Sequence, residues 1–283
     1  MKTPLLSLVC VVAVLLSSPC FAADEHISDE LYIFSNGLRG LSLEDQAAVV
    51  AKLGYAGIAY SGCAQPAERV AVCAEQGIRA QSIYVGAKVG PSGASFDPGL
   101  PAAIEAYKGK NVDLWLFVQG PRGSEPAKYD EQAVETIRKI ADLAAAADLR
   151  VSLYPHQGFY IERVEDSLRL IEKIDRENVG TCFNVCHWLR VGDRANMEER
   201  IRQAMPHLFA VNINGCDNEG GWRELIQTLD RGEYDLVPML RLLDKLGYRG
   251  LFGLQCYAIP GDPKENAARS IEAWRKLRAA AIQ

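Results

Sequence analysis

The chain has 283 residues, of which 48% are hydrophobic and 24% charged, with a formal net charge of −5. That length holds one large domain or two small ones, and the composition is that of a folded globular protein rather than a disordered or fibrous one. The acidic balance excludes the cationic excess that a nucleic-acid surface uses to meet phosphates, so no nucleic-acid partner is expected.

The first residues read as a secretory signal. Lys2 precedes the apolar run LLSLVCVVAVLL, which is too short to span a bilayer, and the small residue Ala22 stands at the expected cut. Residues 1–22 are therefore expected to leave. The mature domain then covers 23–283, without a transmembrane segment, in a periplasmic or secreted location. An uncleaved anchor and a lipid-modified Cys20 are the alternatives, and Pro19 suits lipid attachment poorly. Export makes disulfides possible. Six cysteines remain after cleavage: Cys63, Cys73, Cys182, Cys186, Cys216 and Cys256. Most lie in apolar runs and are expected to be buried thiols. Cys63 and Cys73 form the one surface pair that could bridge.

Beyond the leader, short β-branched and aromatic runs alternate with longer stretches of helical period. Strands are predicted at 31–36, 57–62, 78–86, 112–120, 149–156, 179–188, 208–215 and 251–258. Helices are predicted at 42–54, 131–147, 164–175 and 236–247 among others, with a last one over 261–280. Glycines in KLGYAG and KLGYRG mark helix ends. Eight such units in this length predict an α/β fold, a single-domain (β/α)8 TIM barrel. Apolar strands bounded by helices imply a parallel sheet covered on its outer face. A doubly wound open sheet is the runner-up, but no GxGxxG follows the first strand to support a dinucleotide site.

In a barrel the active site gathers at the C-terminal ends of the strands. Those ends supply Asn36, Tyr60, Tyr84, Gln119, Tyr154, His156, Asn184, His187, Asn212, Asn214, Gln255 and Tyr257. Amides offer both donors and acceptors, and aromatic rings offer apolar faces, which suits a polyhydroxylated ligand. Taken singly, each amide could equally cap a loop. His156 and His187 are the strongest chemical candidates, since a histidine can act as acid, base or metal ligand near neutral pH. Arg190 and Arg223 could bind an anionic group, and Trp188 or Trp222 could stack on a sugar ring. Cys186, Cys216 and Cys256 lie near the same rim, so a Cys/His nucleophile pair is conceivable, although a small buried hydrophobe is the simpler role.

The motifs resemble the xylose isomerase-like barrel superfamily over most of the mature chain. The resemblance rests on SNGLRGLSLEDQAAVVAKLGYAGIAYSG at the start, then on LYPH, NVGTCFNVCHWLRVG and LFAVNINGCD in order. It ends on LDRGEYDLVPMLRLLDKLGYRGLFGLQ. It implies sugar isomerase or epimerase chemistry with one divalent metal, often Mn²⁺ or Mg²⁺, held by Glu, Asp, His and Glu. Matched motif to motif, those ligands fall at Tyr154, Asn184, Asn212 and Gln255, all neutral here. The D-x-x-H pattern survives only as His187. Hard cations favour anionic oxygen, so no cofactor is expected, although Mn, Mg or Zn held by the two histidines with an acid such as Asp217 stays open.

The sequence therefore predicts an exported protein acting on a small carbohydrate. His156 and His187 would be catalytic, and Asn36, Tyr84, Gln119, Tyr154, Asn184, Asn212, Arg223 and Gln255 would bind substrate. A non-catalytic carbohydrate-binding barrel, and a lyase or hydrolase acting on a keto-sugar, remain the alternatives. The oligomeric state is not legible.

Overall fold

The apolar runs form a closed parallel barrel in the computed structural model, which describes residues 26–283. The predicted signal lies outside those residues. The barrel strands are β1 (Tyr32–Phe34), β2 (Gly57–Ser61), β3 (Arg79–Lys88), β5 (Asp113–Gln119), β6 (Arg150–Leu153), β7 (Val179–Asn184), β8 (Leu208–Ile213) and β9 (Leu251–Leu254). Each pairs in parallel with its neighbours, and β1 joins β9 through Tyr32↔Gly253 and Ile33↔Leu254 to close the ring. The two-residue β4 (Ser95–Phe96) adds an antiparallel ribbon to the end of β3. All eight predicted strands are present, so the fold is a (β/α)8 barrel of the α/β class.

Helices cover the outside for reasons visible in their sequences. In α1 (Leu43–Leu53), Ser42 accepts a hydrogen bond from the Asp45 N–H, and Gly54 ends the helix with φ of 83°. In α4 (Asp130–Ala146), Ala133, Ile137, Ile140, Ala141 and Ala144 fall on one buried stripe. The last helix, α10 (Pro263–Ala281), starts on Asp262, whose carboxylate caps the N–H groups of Lys264 and Glu265. Among the described residues, no helix is long and apolar enough to cross a membrane.

Several predicted strands end early: 251–258 stops at Leu254, which leaves Gln255 and Tyr257 in the loop that follows, and two further differences bear on the site. The segment 149–156 is a strand only to Leu153, so Tyr154 and His156 lie in the loop that follows. The segment 179–188 is a strand to Asn184 and then turns without a loop into α6 (Val185–Arg190). His187 is thus helical. The reason is burial: Val185, Cys186, His187, Trp188 and Leu189 are all buried, and a continuous apolar run does not distinguish a buried helix from a strand.

The loop after β6 is held by carboxylates on the helices behind it. Asp166 of α5 (Val164–Ile174) accepts the backbone N–H groups of Glu162 and Arg163 at 3.1 and 3.0 Å, and also pairs with Arg122 and Arg169. Asp130 at the start of α4 accepts the Tyr160 hydroxyl at 2.6 Å and pairs with Arg169 and Lys173. Burial alone would raise both carboxyls, but the hydrogen bonds from these cations outweigh it and hold them below the usual range. The sign follows. A depressed carboxyl stabilises the fold above the unfolded value near 3.9, and that stability is lost as pH falls through the folded value. Asp166→Ala should therefore cost about 3–5 kcal/mol in urea unfolding near neutral pH, because two cations and two N–H groups lose their acceptor. The deficit relative to wild type should shrink below about pH 4; an equal deficit at both pH values would contradict it.

Candidate functional site

A pocket of about 580 Å³ opens at the C-terminal ends of the strands. Its floor is a chain of neutral hydrogen bonds. Gln255 donates from Nε2 to the Tyr154 hydroxyl at 3.3 Å. Its Oε1 accepts from the Asn36 amide at 3.4 Å and from the Tyr257 N–H at 3.0 Å. Asn36 stands there because the chain after β1 presses against β9. A side chain on Gly37 would place its Cβ 2.2 Å from the Cys256 sulfur, so glycine is the residue that allows this approach. Burial raises the Tyr154 phenol well above its ordinary value, so the hydroxyl remains protonated. Tyr84 packs edge-on against the Tyr154 ring at 4.9 Å.

His156 and His187 form one wall, with ring centroids 3.9 Å apart. His156 also stacks on Phe159 at 3.9 Å. Burial lowers both imidazoles; His187 falls further because it is the more deeply buried, with repulsion from the second imidazole adding to this, while the Gln157 carbonyl raises His156 in part. Both are therefore neutral at physiological pH. The backbone of one residue, Gln157, sets their tautomers. The Gln157 carbonyl can only accept, so the His156 Nδ1 at 2.9 Å carries the proton. The Gln157 N–H donates to the His187 Nδ1 at 3.4 Å, so that ring carries its proton on Nε2. The two rings are left with opposite free atoms: a lone pair on His156 Nε2 and an N–H on His187 Nε2. A base and a hydrogen-bond donor thus stand side by side without a net charge.

The remaining predicted residues divide. Asn36, Tyr84, Tyr154 and Gln255 line the pocket with the two histidines. Asn184 and Asn212 pair in register across β7 and β8, beneath the floor. Asn212 is fully buried, and among the described residues neither of its amide atoms has a partner. Gly253 makes room for it, since a Cβ there would lie 2.3 Å from the Asn212 Oδ1. Gln119 ends β5 outside the pocket lining, and Arg223 is exposed away from it. Trp222 lines the pocket, whereas Trp188 packs on Phe183 and Tyr234. Arg190 reaches over the Trp222 ring at 5.8 Å. Asp217 does not join the histidines; its carboxylate accepts the Glu233 N–H at 3.2 Å.

The cysteines carry no nucleophile. All six described cysteines are unbridged, so the Cys63–Cys73 pair does not form, and Cys73 instead meets the Tyr60 hydroxyl at 3.4 Å. Burial pushes the Cys216 and Cys256 thiols up to about 12. Such thiols hold no thiolate near neutral pH.

Pocket residues not singled out from sequence include Gln157, Arg39, Ser61 and Phe34. Gln157 follows His156 directly, and its role lies in its backbone, which carries no side-chain signature. Arg39 sits in NGLRG, immediately after a strand, where position alone marks a rim residue.

Residues 102–277 match the family model of the xylose isomerase-like TIM barrel, and the chain belongs to that family. The apo structure of 3-keto-D-glucoside 4-epimerase from E. coli superposes with a TM-score of 0.70 at 15% identity, covering 87% of this chain and 99% of that one. D-allulose 3-epimerase from Methylomonas sp., bound to D-allulose, gives 0.69 at 16% identity, covering 89% and 97%. A probable 3-DHS dehydratase from Bacillus anthracis gives 0.70 at 11% identity, covering 87% and 98%. At these identities the likeness is one of fold. No curated protein matches the chain in sequence.

The family's divalent cation fits this donor set poorly. The four matched positions supply a protonated phenol and three amides, and the Gln255 carbonyl oxygen is already taken by two donors. Among the described residues, no three His, Cys, Asp or Glu side chains converge on one point. Hard cations hold weakly to neutral oxygen alone.

The neutral histidine pair has a direct test. A buried imidazole with a lowered folded pKa keeps its full stabilisation above the unfolded value near 6.5 and loses it as pH falls. In an NMR titration, the ring protons of His156 and His187 should move below pH 6.5, with His187 the lower, and stay flat from there to pH 8. A transition of either ring above that value would contradict the arrangement.

Proposed function

We propose that this pocket epimerises or isomerises a small carbohydrate by proton transfer between neutral groups, without a divalent cation. The observation that carries the reading is the Gln157 backbone, whose C=O and N–H give two adjacent imidazoles opposite tautomers. The His156 Nε2 lone pair takes the proton from the carbon next to the sugar carbonyl. The electron pair of that C–H bond forms the enediol double bond, and the carbonyl oxygen gains the charge. His187 donates its Nε2–H to that oxygen. Return of the proton from His156 to the former carbonyl carbon, as the neighbouring hydroxyl passes its proton to the charged oxygen and becomes the new carbonyl, gives the isomer. Protonation of the original carbon by water on the opposite face, with His156 releasing its proton to solvent, gives the epimer. Asn36, Gln255 and Tyr154 offer donors and acceptors for hydroxyls, and Trp222 and Tyr257 offer faces for a ring.

The family supports a sugar, and one neighbour's name describes inversion at a carbon beside a ketone. The neutral residues at the four matched positions support the absence of a metal. The same residues favour a second reading, a barrel that binds a carbohydrate and does no chemistry. The leader sequence supports action outside the cytoplasm.

Solvent exchange separates the readings. In D2O, the wild-type protein should wash deuterium into the carbon beside the carbonyl of its sugar across a panel of ketoses and keto-glycosides. His156→Ala should slow this by roughly 10²- to 10⁴-fold, the usual contribution of a positioned base. Sugar binding without exchange would leave the binding reading standing. Neither binding nor exchange across the panel would overturn both.

A further inference from the structure

The pocket holds one formal charge. Of the side chains that line it, Arg39 alone is ionised at neutral pH, since both histidines are held neutral and no Asp or Glu reaches the lining. This is notable in a chain with 36 acidic and 31 basic residues. Arg39 forms no hydrogen bond or ion pair among the described residues. Its guanidinium lies 4.7 Å from the centre of the Tyr257 ring, which is itself 50% exposed at the mouth. The stacked ring orients the planar fork, which is a geometry suited to bidentate contact with a carboxylate. Arg190 lies over Trp222 at 5.8 Å but outside the lining, where it donates to the Gly220 carbonyl. An exposed arginine usually finds a carboxylate or water; this one is ring-stacked at the rim of a pocket without a carboxylate.

We infer that Arg39 selects an acidic sugar, binding the anionic group of the ligand while the amide floor and histidine wall meet its hydroxyls and carbonyl. The inference rests on the carbohydrate reading and narrows it. The anion is a carboxylate in a sugar acid or a phosphate on a sugar. The carboxylate matches a single fork, whereas a phosphate generally draws further cations. Arg39 acts on binding, so its loss should raise the dissociation constant or KM of the acidic sugar.

The test is calorimetric titration of the full mature chain with matched neutral and acidic sugars: D-glucose with D-glucuronate and glucose 6-phosphate, D-galactose with D-galacturonate, and D-fructose with D-fructuronate. At least one acid should bind more tightly than its neutral partner. Arg39→Gln should weaken that acid roughly tenfold to hundredfold, the range for a hydrogen bond to a charged group, without changing the neutral sugar. Arg39→Lys should recover part of the loss, and added salt should erode the preference. Preference for the phosphate over the uronate would assign the same site to sugar phosphates and overturn the carboxylate. Equal or tighter binding of neutral sugars, unmoved by Arg39→Gln, would overturn the inference and leave the carbohydrate reading intact. Binding of no sugar in either class would overturn both. Arg39 is exposed, so the variants should fold, and their unfolding transitions check this directly.

Discussion

The Asp166 carboxylate holds the segment on which the site depends. It gathers two backbone N–H groups and two arginines, and so fixes the path from Tyr154 to Arg163. That path carries His156 and Gln157. Backbone bonds from Tyr154 to Leu116, from His156 to Ile161 and from Tyr160 to Val118 hold the same segment, so the backbone of Gln157 reaches both imidazoles. Structure and chemistry are therefore linked through this loop and the buried acid on its far side. The acid is costly to bury and remains ionised only because Arg122 and Arg169 accompany it. Such an arrangement is rigid, since loosening any member exposes an unpaired charge to a poor solvent.

Removal of charge is the second constraint. Four positions that hold a cation in the superfamily are a phenol and three amides in this chain. A buried carboxylate without a counterion would be unstable, so neutral residues at all four positions are mutually consistent. Gln255 shows what replaces it. Its amide joins Asn36 to Tyr154 by short-range hydrogen bonds and keeps the floor in place. Asn212 is different. Its amide is fully buried with no partner among the described residues.

Much of the barrel was legible because each level of the sequence agreed with the next. The helix over 42–54 has a serine cap, an apolar stripe and a terminal glycine, and it forms over Leu43–Leu53. The helix that KLGYRG closes, predicted over 236–247 and formed over Val237–Lys245, and the strand Leu251–Leu254 that follows were equally plain. The apolar run 179–188 was not, because it serves a strand and a buried helix in turn, and both are hydrophobic on every side. At the site, strand-end position located Asn36, Tyr84, Tyr154, His156, His187 and Gln255. It also pointed to Gln119 and Arg223, which the fold directs elsewhere. Alternation along a strand says which residues share a face, but not where the chain leaves the sheet. Gln157 and Arg39 escaped because one acts through its backbone and the other through the absence of a partner. Neither property is written in a residue type.

The central claim is that a neutral histidine pair moves the proton with no divalent cation. It is tested most directly by measuring metal content and solvent-proton exchange on the same sample, before and after exhaustive chelation. Substoichiometric metal and an unchanged exchange rate are the expected result. A stoichiometric Mn²⁺, Mg²⁺ or Zn²⁺, whose removal abolishes exchange and whose return restores it, would contradict the account.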